Sequence, residues 1–261
     1  IAAAGGCDTP YDGLSASSDR MRRPWSDVVI DDCGEPLVPL KPFFLCLEPH
    51  PYARVGAPYG ENADPYRLRS GVLKRLVAAQ SLLSTCRDPE VGELQLAIFD
   101  AWRPIRVQAF MVNHSIREQC RSLGFEPSDP LMQAALEQVR KDVARFWAPP
   151  SPDPCTPPPH STGAAVDLTF ADSFGAVLEM GGDIDAIGDQ SIPDHHAEEA
   201  ESNPDSEAAL WHGRRCLLNE VMTKAGFARH PNEWWHFSHG DQLWAWKGQR
   251  DGAIYASVPS S

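Results

Sequence analysis

The sequence lacks any apolar run near the roughly 18 residues that a membrane span requires. None of its seven cysteines forms a C-x-x-C pair, which excludes a thiolate zinc knuckle or a dithiol redox motif. Basic residues are also few, because 23 Lys and Arg stand against 36 Asp and Glu and the formal net charge is −13. Since such a chain is repelled by phosphate backbones and anionic lipids, we expect neither nucleic acid nor a membrane surface as its partner.

What the sequence does contain is the composition of an ordinary globular protein, with 42% hydrophobic and 23% charged residues. Its 261 residues are enough to bury a core without disulfides. Residues 1–24 are small, polar and without periodicity, so we predict a loose N-terminal arm followed by a single domain over 25–261. Composition leaves open the oligomeric state and the choice between cytoplasm and periplasm.

Hydrophobic periodicity predicts a mixed order of helices and strands. Helices are predicted at 66–86, 104–123, 128–148 and 206–225. Strands are predicted at 94–99, 164–170, 234–238 and 242–246. Because the order shows no regular βαβ alternation, it favours an α+β fold, a single domain with a small central antiparallel sheet flanked by helices. The acidic stretch 183–208 lacks apolar periodicity, which indicates a surface insertion or lid.

Two polar residues near position 160 are placed unusually. His160 follows a stretch with seven prolines in 148–159, and Asp167 lies inside an apolar strand, between Val166 and Leu168. A carboxylate in such a strand is costly to bury unless it is paired or bound to a metal. A buried, hydrogen-bonded Asp167 explains this segment about as well as a metal ligand does.

A second polar pair, Glu233 and His236, is embedded in aromatic residues. Residues three apart on a straight strand point to opposite faces, so a shared site requires a bend in the backbone. The alternative is an edge strand with a solvated Glu233 and a packed His236.

Together these residues provide the groups of a zinc hydrolase. A catalytic zinc takes three protein ligands and leaves one position for water, which predicts one Zn²⁺ per chain bound by His160, Asp167 and His236. Glu233 is then the predicted general base. Arg103, where a predicted strand meets a helix, is predicted to stabilise the negative charge of the tetrahedral intermediate. The alternative for Arg103 is a surface arginine at the start of a helix.

The order and spacing of these residues resemble the D-alanyl-D-alanine dipeptidases, the zinc peptidases related to the VanX vancomycin-resistance enzyme. The matching motifs are Phe99-Asp100-Ala101-Trp102-Arg103-Pro104, His160-Ser161-x-Gly163-x-Ala165-Val166-Asp167-Leu168-Thr169 and Glu233-Trp234-Trp235-His236. Met180-Gly181 followed by Asp185, and the pair His195-His196, also fit, so the resemblance covers roughly residues 65–240. Pro157-Pro158-Pro159 depart from the pattern, because the family commonly has serines there that help to bind substrate.

The resemblance implies a small α+β domain with the same zinc ligands, the general base Glu233 and the transition-state arginine Arg103. It further implies that Asp185 holds the free ammonium group of the substrate, although a solvated loop residue is the alternative. The implied reaction cleaves D-Ala-D-Ala into two D-alanines, in turnover or recycling of cell-wall precursors. Two other functions stay open: a D,D-carboxypeptidase or endopeptidase acting on longer muropeptides, and a non-catalytic module that binds wall peptide.

Overall fold

The computed structural model describes residues 22–60 and 63–259, so nearly all of the predicted arm 1–24 lies outside the described residues. The α-helices in this described part are α1 (Pro51–Arg54), α2 (Ser70–Leu83), α3 (Ile105–Ser122), α4 (Gln133–Phe146), α5 (Ala197–Ser202), α6 (Glu207–Lys224) and α7 (Gln242–Lys247). The strands are β1 (Leu37–Pro39), β2 (Leu45–Cys46), β3 (Arg67–Arg69), β4 (Leu94–Asp100), β5 (Ala165–Asp172), β6 (Ala228–Arg229) and β7 (His236–Ser238). The predicted α+β class is confirmed.

Five of the described strands form a central sheet in the order β2-β4-β5-β7-β6, and β1 pairs with β3 in a separate two-stranded sheet. The pairs β4–β5, β5–β7 and β7–β6 are antiparallel, as predicted, whereas the edge pair β2–β4 is parallel. β5 is the middle strand of this sheet, and nearly all of its residues are buried. This burial explains why the strand is mostly apolar in sequence.

The sheet separates two apolar clusters. Alternate residues of β5, namely Val166, Leu168 and Phe170, join the buried faces of α2 and α6 in the first cluster. The second cluster is formed by α3 and α4 with Tyr52 and Trp147. Because neighbouring residues of a strand point to opposite faces, Asp167 and Thr169 point away from the first cluster.

The four predicted long helices all occur, with boundaries shifted by a few residues. Gly226, with φ +94°, follows the end of α6 as its left-handed cap. The predicted strand at 242–246 is wrong, because the side chain of Asp241 accepts a hydrogen bond from the backbone N–H of Trp244 and caps α7 instead. In the described part of the chain, no helix combines the length and apolar character that crossing a bilayer would need.

Candidate active site

The site is built where three strands of the central sheet lie side by side. Asp167 on β5 is the register partner of His236 on β7 and of Asp100 on β4. A shift in the β4–β5 register between Ile98 and Asp100 marks a bulge. A bulge re-aims the residues that follow it, which brings Asp100 to the same face as Asp167. Side chains directly opposite on antiparallel strands lie close together, so the register itself gathers these groups.

His160 is brought to this cluster by a one-turn 3-10 helix, Pro159–Thr162. Its Nδ1 lies 2.7 Å from the carbonyl oxygen of Ala101, and the Arg103 N–H donates to the His160 carbonyl at 3.2 Å. Gly163 ends the turn with φ +72°, and a Cβ there would collide with Leu37. Two features therefore fix His160, a carbonyl partner for its ring and a turn that only glycine completes well.

The three predicted ligands converge. His160 Nε2 lies 3.2 Å from His236 Nδ1 and 3.1 Å from Asp167 Oδ2, and His236 Nδ1 lies 3.0 Å from Asp167 Oδ1. All three side chains are buried. Burial alone would raise the pKa of Asp167, but the imidazoles of His160 and His236 outweigh it and hold that pKa well below its usual range. A cluster of two imidazoles and one carboxylate at such distances can hold a metal ion.

Glu233 reaches the same cluster because the backbone bends between it and β7. The N–H of Trp234 donates to the carbonyl of Ser191 at 3.0 Å, outside the sheet, and β7 begins only at His236. Glu233 Oε2 then lies 3.6 Å from His236 Nδ1. The bend that sequence reasoning required for a shared site is present.

The carboxyl group of Glu233 is poorly solvated. Its Oε1 is 3.3 Å from His230 Nδ1 but is not aligned for a hydrogen bond, and it has no other hydrogen-bond partner among the described residues. Burial raises the pKa of Glu233 to about 8, with the negative charge of Asp167 adding to the effect of burial and His236 opposing it. A cation bound beside it would favour the ionised form and lower this pKa.

Arg103 is buried rather than exposed at a helix start. Its guanidinium donates to Asp100 Oδ2 from Nε at 3.0 Å and from Nη2 at 2.8 Å, and to Gln108 Oε1 from Nη1 at 2.8 Å. Nη2 also lies 3.3 Å from Asp167 Oδ2. The planar group stacks near the rings of Tyr52 and Trp147, with centroid distances of 4.8 and 4.9 Å. These contacts place a fixed positive charge beside Asp167.

Asp185 also reaches the site, from the acidic stretch 183–208. Its Oδ2 accepts a hydrogen bond of 2.8 Å from the hydroxyl of Tyr52, which in turn accepts one of 3.0 Å from Arg103 Nη2. Burial, and next the charge of Asp167, raise the pKa of Asp185 to about 7. Its backbone has φ +66°, a conformation that few residues other than glycine adopt.

The structure adds residues that sequence reasoning did not single out. Asp100 is fully buried, and its Oδ1 lies 3.1 Å both from His50 Nε2 and from the hydroxyl of Tyr59. The only local signal was a carboxylate at the end of an apolar strand, three residues before Arg103. His50, Tyr52 and Tyr59 join the site through contacts between distant parts of the chain, which no local pattern reveals.

The sequence is similar to one family of known proteins over most of its length. The family Peptidase_M15, described as D-ala-D-ala dipeptidase, matches residues 46–252. A D-alanyl-D-alanine dipeptidase of Synechocystis sp. is 44% identical over 235 residues, covering 88% of this chain and 92% of that relative. A D-alanyl-D-alanine dipeptidase of Escherichia coli is 30% identical over 160 residues, covering 61% of this chain and 63% of that relative.

A solved structure, the vancomycin-resistance D,D-pentapeptidase VanY in complex with Zn(II), aligns with 87% of this chain and 96% of its own. The TM-score is 0.42 and the sequence identity is 13%.

Proposed function

Because the chain belongs to the Peptidase_M15 family of D-Ala-D-Ala dipeptidases, we propose that it hydrolyses D-alanyl-D-alanine to two D-alanines with one bound zinc. The observation that carries this proposal is the convergence of two imidazoles and a carboxylate beside a buried glutamate and a buried arginine. The biological setting that fits this reaction is turnover or recycling of cell-wall precursors.

The donor set fits zinc. One ligand atom from each of His160, Asp167 and His236 lies within 4.8 Å of the other two, and two imidazoles with one carboxylate are a donor set that catalytic zinc accepts. The Ala101 carbonyl accepts a hydrogen bond from the Nδ1–H of His160, and this tautomer leaves the Nε2 lone pair directed at Asp167 and His236. When bound, zinc supplies a Lewis acid for the scissile carbonyl and lowers the pKa of water toward neutrality.

Glu233 is the proposed general base. Its carboxylate takes a proton from the attacking water and delivers it to the amide nitrogen of the leaving D-alanine, so that the C–N bond breaks after the new C–O bond forms. Support comes from its position 3.6 Å from His236 and from its lack of a fixed hydrogen-bond partner among the described residues. A base that is already bonded on both oxygens would have to break those bonds first.

Arg103 and Asp185 are proposed to act on the substrate. The guanidinium of Arg103, anchored by Asp100 and Gln108, offers a preorganised positive charge to the oxygen that becomes negative in the tetrahedral intermediate. Asp185 accepts the ammonium group of the dipeptide through a charge-assisted hydrogen bond. A free ammonium exists at this position only when the substrate has no residue before its first D-alanine, which favours the dipeptide over longer muropeptides.

The test is amino-acid release from D-Ala-D-Ala and from a muropeptide pentapeptide ending in D-Ala-D-Ala, with and without a zinc chelator. We expect D-alanine to be released from the dipeptide but not from the pentapeptide. After chelation of zinc, we expect no release of D-alanine from either substrate. Release from the pentapeptide would favour the carboxypeptidase function, and zinc binding without hydrolysis of either substrate would favour the binding module.

A further inference from the structure

Arg215 on α6 is a buried arginine with no carboxylate paired to it among the described residues; its side chain is 1% exposed. Its three guanidinium nitrogens donate to main-chain carbonyls instead. Nε binds Met180 at 2.7 Å, Nη2 binds Gln190 at 2.9 Å and Nη1 binds Ile192 at 3.1 Å. Burial lowers the pKa of Arg215 to about 10, as expected for a buried cation without a paired anion.

These carbonyls belong to the two ends of one loop, residues 180–192, which we name the Asp185 loop. Met180 lies at its start, and Gln190 and Ile192 lie at its end, so one guanidinium joins both ends. Within the loop the Ser191 hydroxyl donates to the Ala186 carbonyl at 2.6 Å. Arg215 therefore bonds to both ends of the loop that carries Asp185, whereas His196 Nε2 lies 2.7 Å from the carbonyl of Gly181 at one end and the N–H of Trp234 donates to Ser191 at the other.

The position in which the loop holds Asp185 is unfavourable in two ways. Its backbone has φ +66°, which is strained for a residue with a Cβ. Its carboxyl group faces the buried carboxylates of Asp167 and Asp100, and like charges in a buried site repel each other. A loop released at its base would relax both costs by moving Asp185 away from the cluster.

We propose that Arg215 is a positioning residue that holds Asp185 where it binds the substrate ammonium, and so sets the affinity for free dipeptides. The inference rests on the proposed function, since it takes Asp185 as the ammonium partner. Arginine suits this position because its planar fork reaches three carbonyls at once, whereas the single ammonium of lysine cannot span both ends of the loop. The guanidinium also lies 5.1 Å from the ring of Trp234, next to Glu233, and its hydrogen bonds all go to the Asp185 loop.

The test compares Arg215→Lys with Arg214→Lys. Arg214 is the neighbouring buried arginine on α6, but it binds Asp88 at 2.8 Å, Glu90 at 2.8 Å and the carbonyl of Glu179, all outside the loop. For Arg215→Lys we expect KM for D-Ala-D-Ala to rise about 10- to 100-fold, because hydrogen bonds to a charged group are lost. The expected kcat and zinc content stay near those of the parent, and amide exchange accelerates in peptides covering 180–192. Arg214→Lys should leave both KM and loop exchange unchanged.

Unchanged KM together with unchanged exchange in Arg215→Lys would overturn the proposal, and so would a loss of kcat at constant KM. If the lysine variant does not fold, Arg215→Gln, which keeps one donor nitrogen without the charge, is measured by the same two readouts. If the unsubstituted protein does not hydrolyse D-Ala-D-Ala, the proposed function is contradicted. Amide exchange in residues 180–192 still tests whether Arg215 holds the Asp185 loop. The two failures are therefore distinguishable.

Discussion

Replacing Glu233 by glutamine is expected to stabilise the metal-free protein while it removes most of the activity. The amide keeps the shape of the side chain and removes the charge. Because the carboxylate is buried and one of its oxygens has no hydrogen-bond partner among the described residues, ionising it costs free energy in the folded state. Because a glutamine side chain does not ionise, it avoids this free-energy cost at every pH.

The magnitude follows from the raised pKa. Folding raises the pKa of Glu233 from 4.5 to about 8, chiefly through burial. At about 1.4 kcal/mol per pKa unit, the ionised carboxylate destabilises the fold by up to about 5 kcal/mol. Because folding raises this pKa, the protein with Glu233 has its full free energy of unfolding below about pH 4.5 and loses this contribution as the pH rises through about 8. The advantage of Glu233→Gln should therefore be small at low pH and largest above about pH 8.

The assay is urea denaturation of the chelator-treated proteins at about pH 5 and about pH 9, with turnover measured on the zinc-loaded proteins. We expect kcat for Glu233→Gln to fall about 10²- to 10⁴-fold, as when a general base is removed. Glu220→Gln is the matched control, because Glu220 is exposed on α6 and paired with Lys224 at 2.6 Å, so that a change of a few tenths of a kcal/mol is expected. Near-parental turnover would show that another group takes the proton. An equal stability difference at both pH values would refute the burial argument.

Three further predictions concern the other site residues. We expect one zinc per chain in the unsubstituted protein, and His160→Ala, Asp167→Ala and His236→Ala should each lower that content; full occupancy by elemental analysis in all three would contradict the ligand assignment. Asp185→Asn should weaken binding of free dipeptides about 10- to 150-fold and leave N-acetylated ones nearly unaffected, since only a charged N-terminus bonds to the carboxylate. An equal loss for both substrates would indicate a structural role. Arg103→Lys should lower kcat about 10²- to 10³-fold with KM near the parental value. A raised KM at constant kcat would instead indicate that Arg103 anchors the ground-state substrate.

The parts of the site that were predicted from sequence are those encoded within short segments. Asp167 inside an apolar strand, and Glu233 three residues before His236 among aromatics, are visible without any knowledge of the fold. The sequence also placed Arg103 where an apolar strand meets a helix, but its burial is known only from the structure. The single domain over 25–261 and the roles of these residues remain predictions.

The parts that were not predicted depend on contacts between distant segments. The hydrogen-bonded residues Tyr52 and Asp185 are 133 positions apart in the sequence, and His50 and Asp100 are 50 positions apart. Neither pair produces a pattern that hydrophobic periodicity could reveal. The wrong strand at 242–246 has a different cause. Its aromatic composition favours a strand, but one capping carboxylate, Asp241, outweighs that preference in a six-residue segment.

The register of β5 links the stability of the fold to the chemistry of the site. Val166, Leu168 and Phe170 pack against α2 and α6, so the intervening Asp167 must point to the opposite face, toward His236. A slip of one residue would bury the carboxylate in the apolar cluster and expose those side chains to the site. Because both errors cost free energy, the hydrophobic core selects the same register that places Asp167 opposite His236. The geometry of this polar cluster is thus specified in part by the apolar residues on the other face of β5.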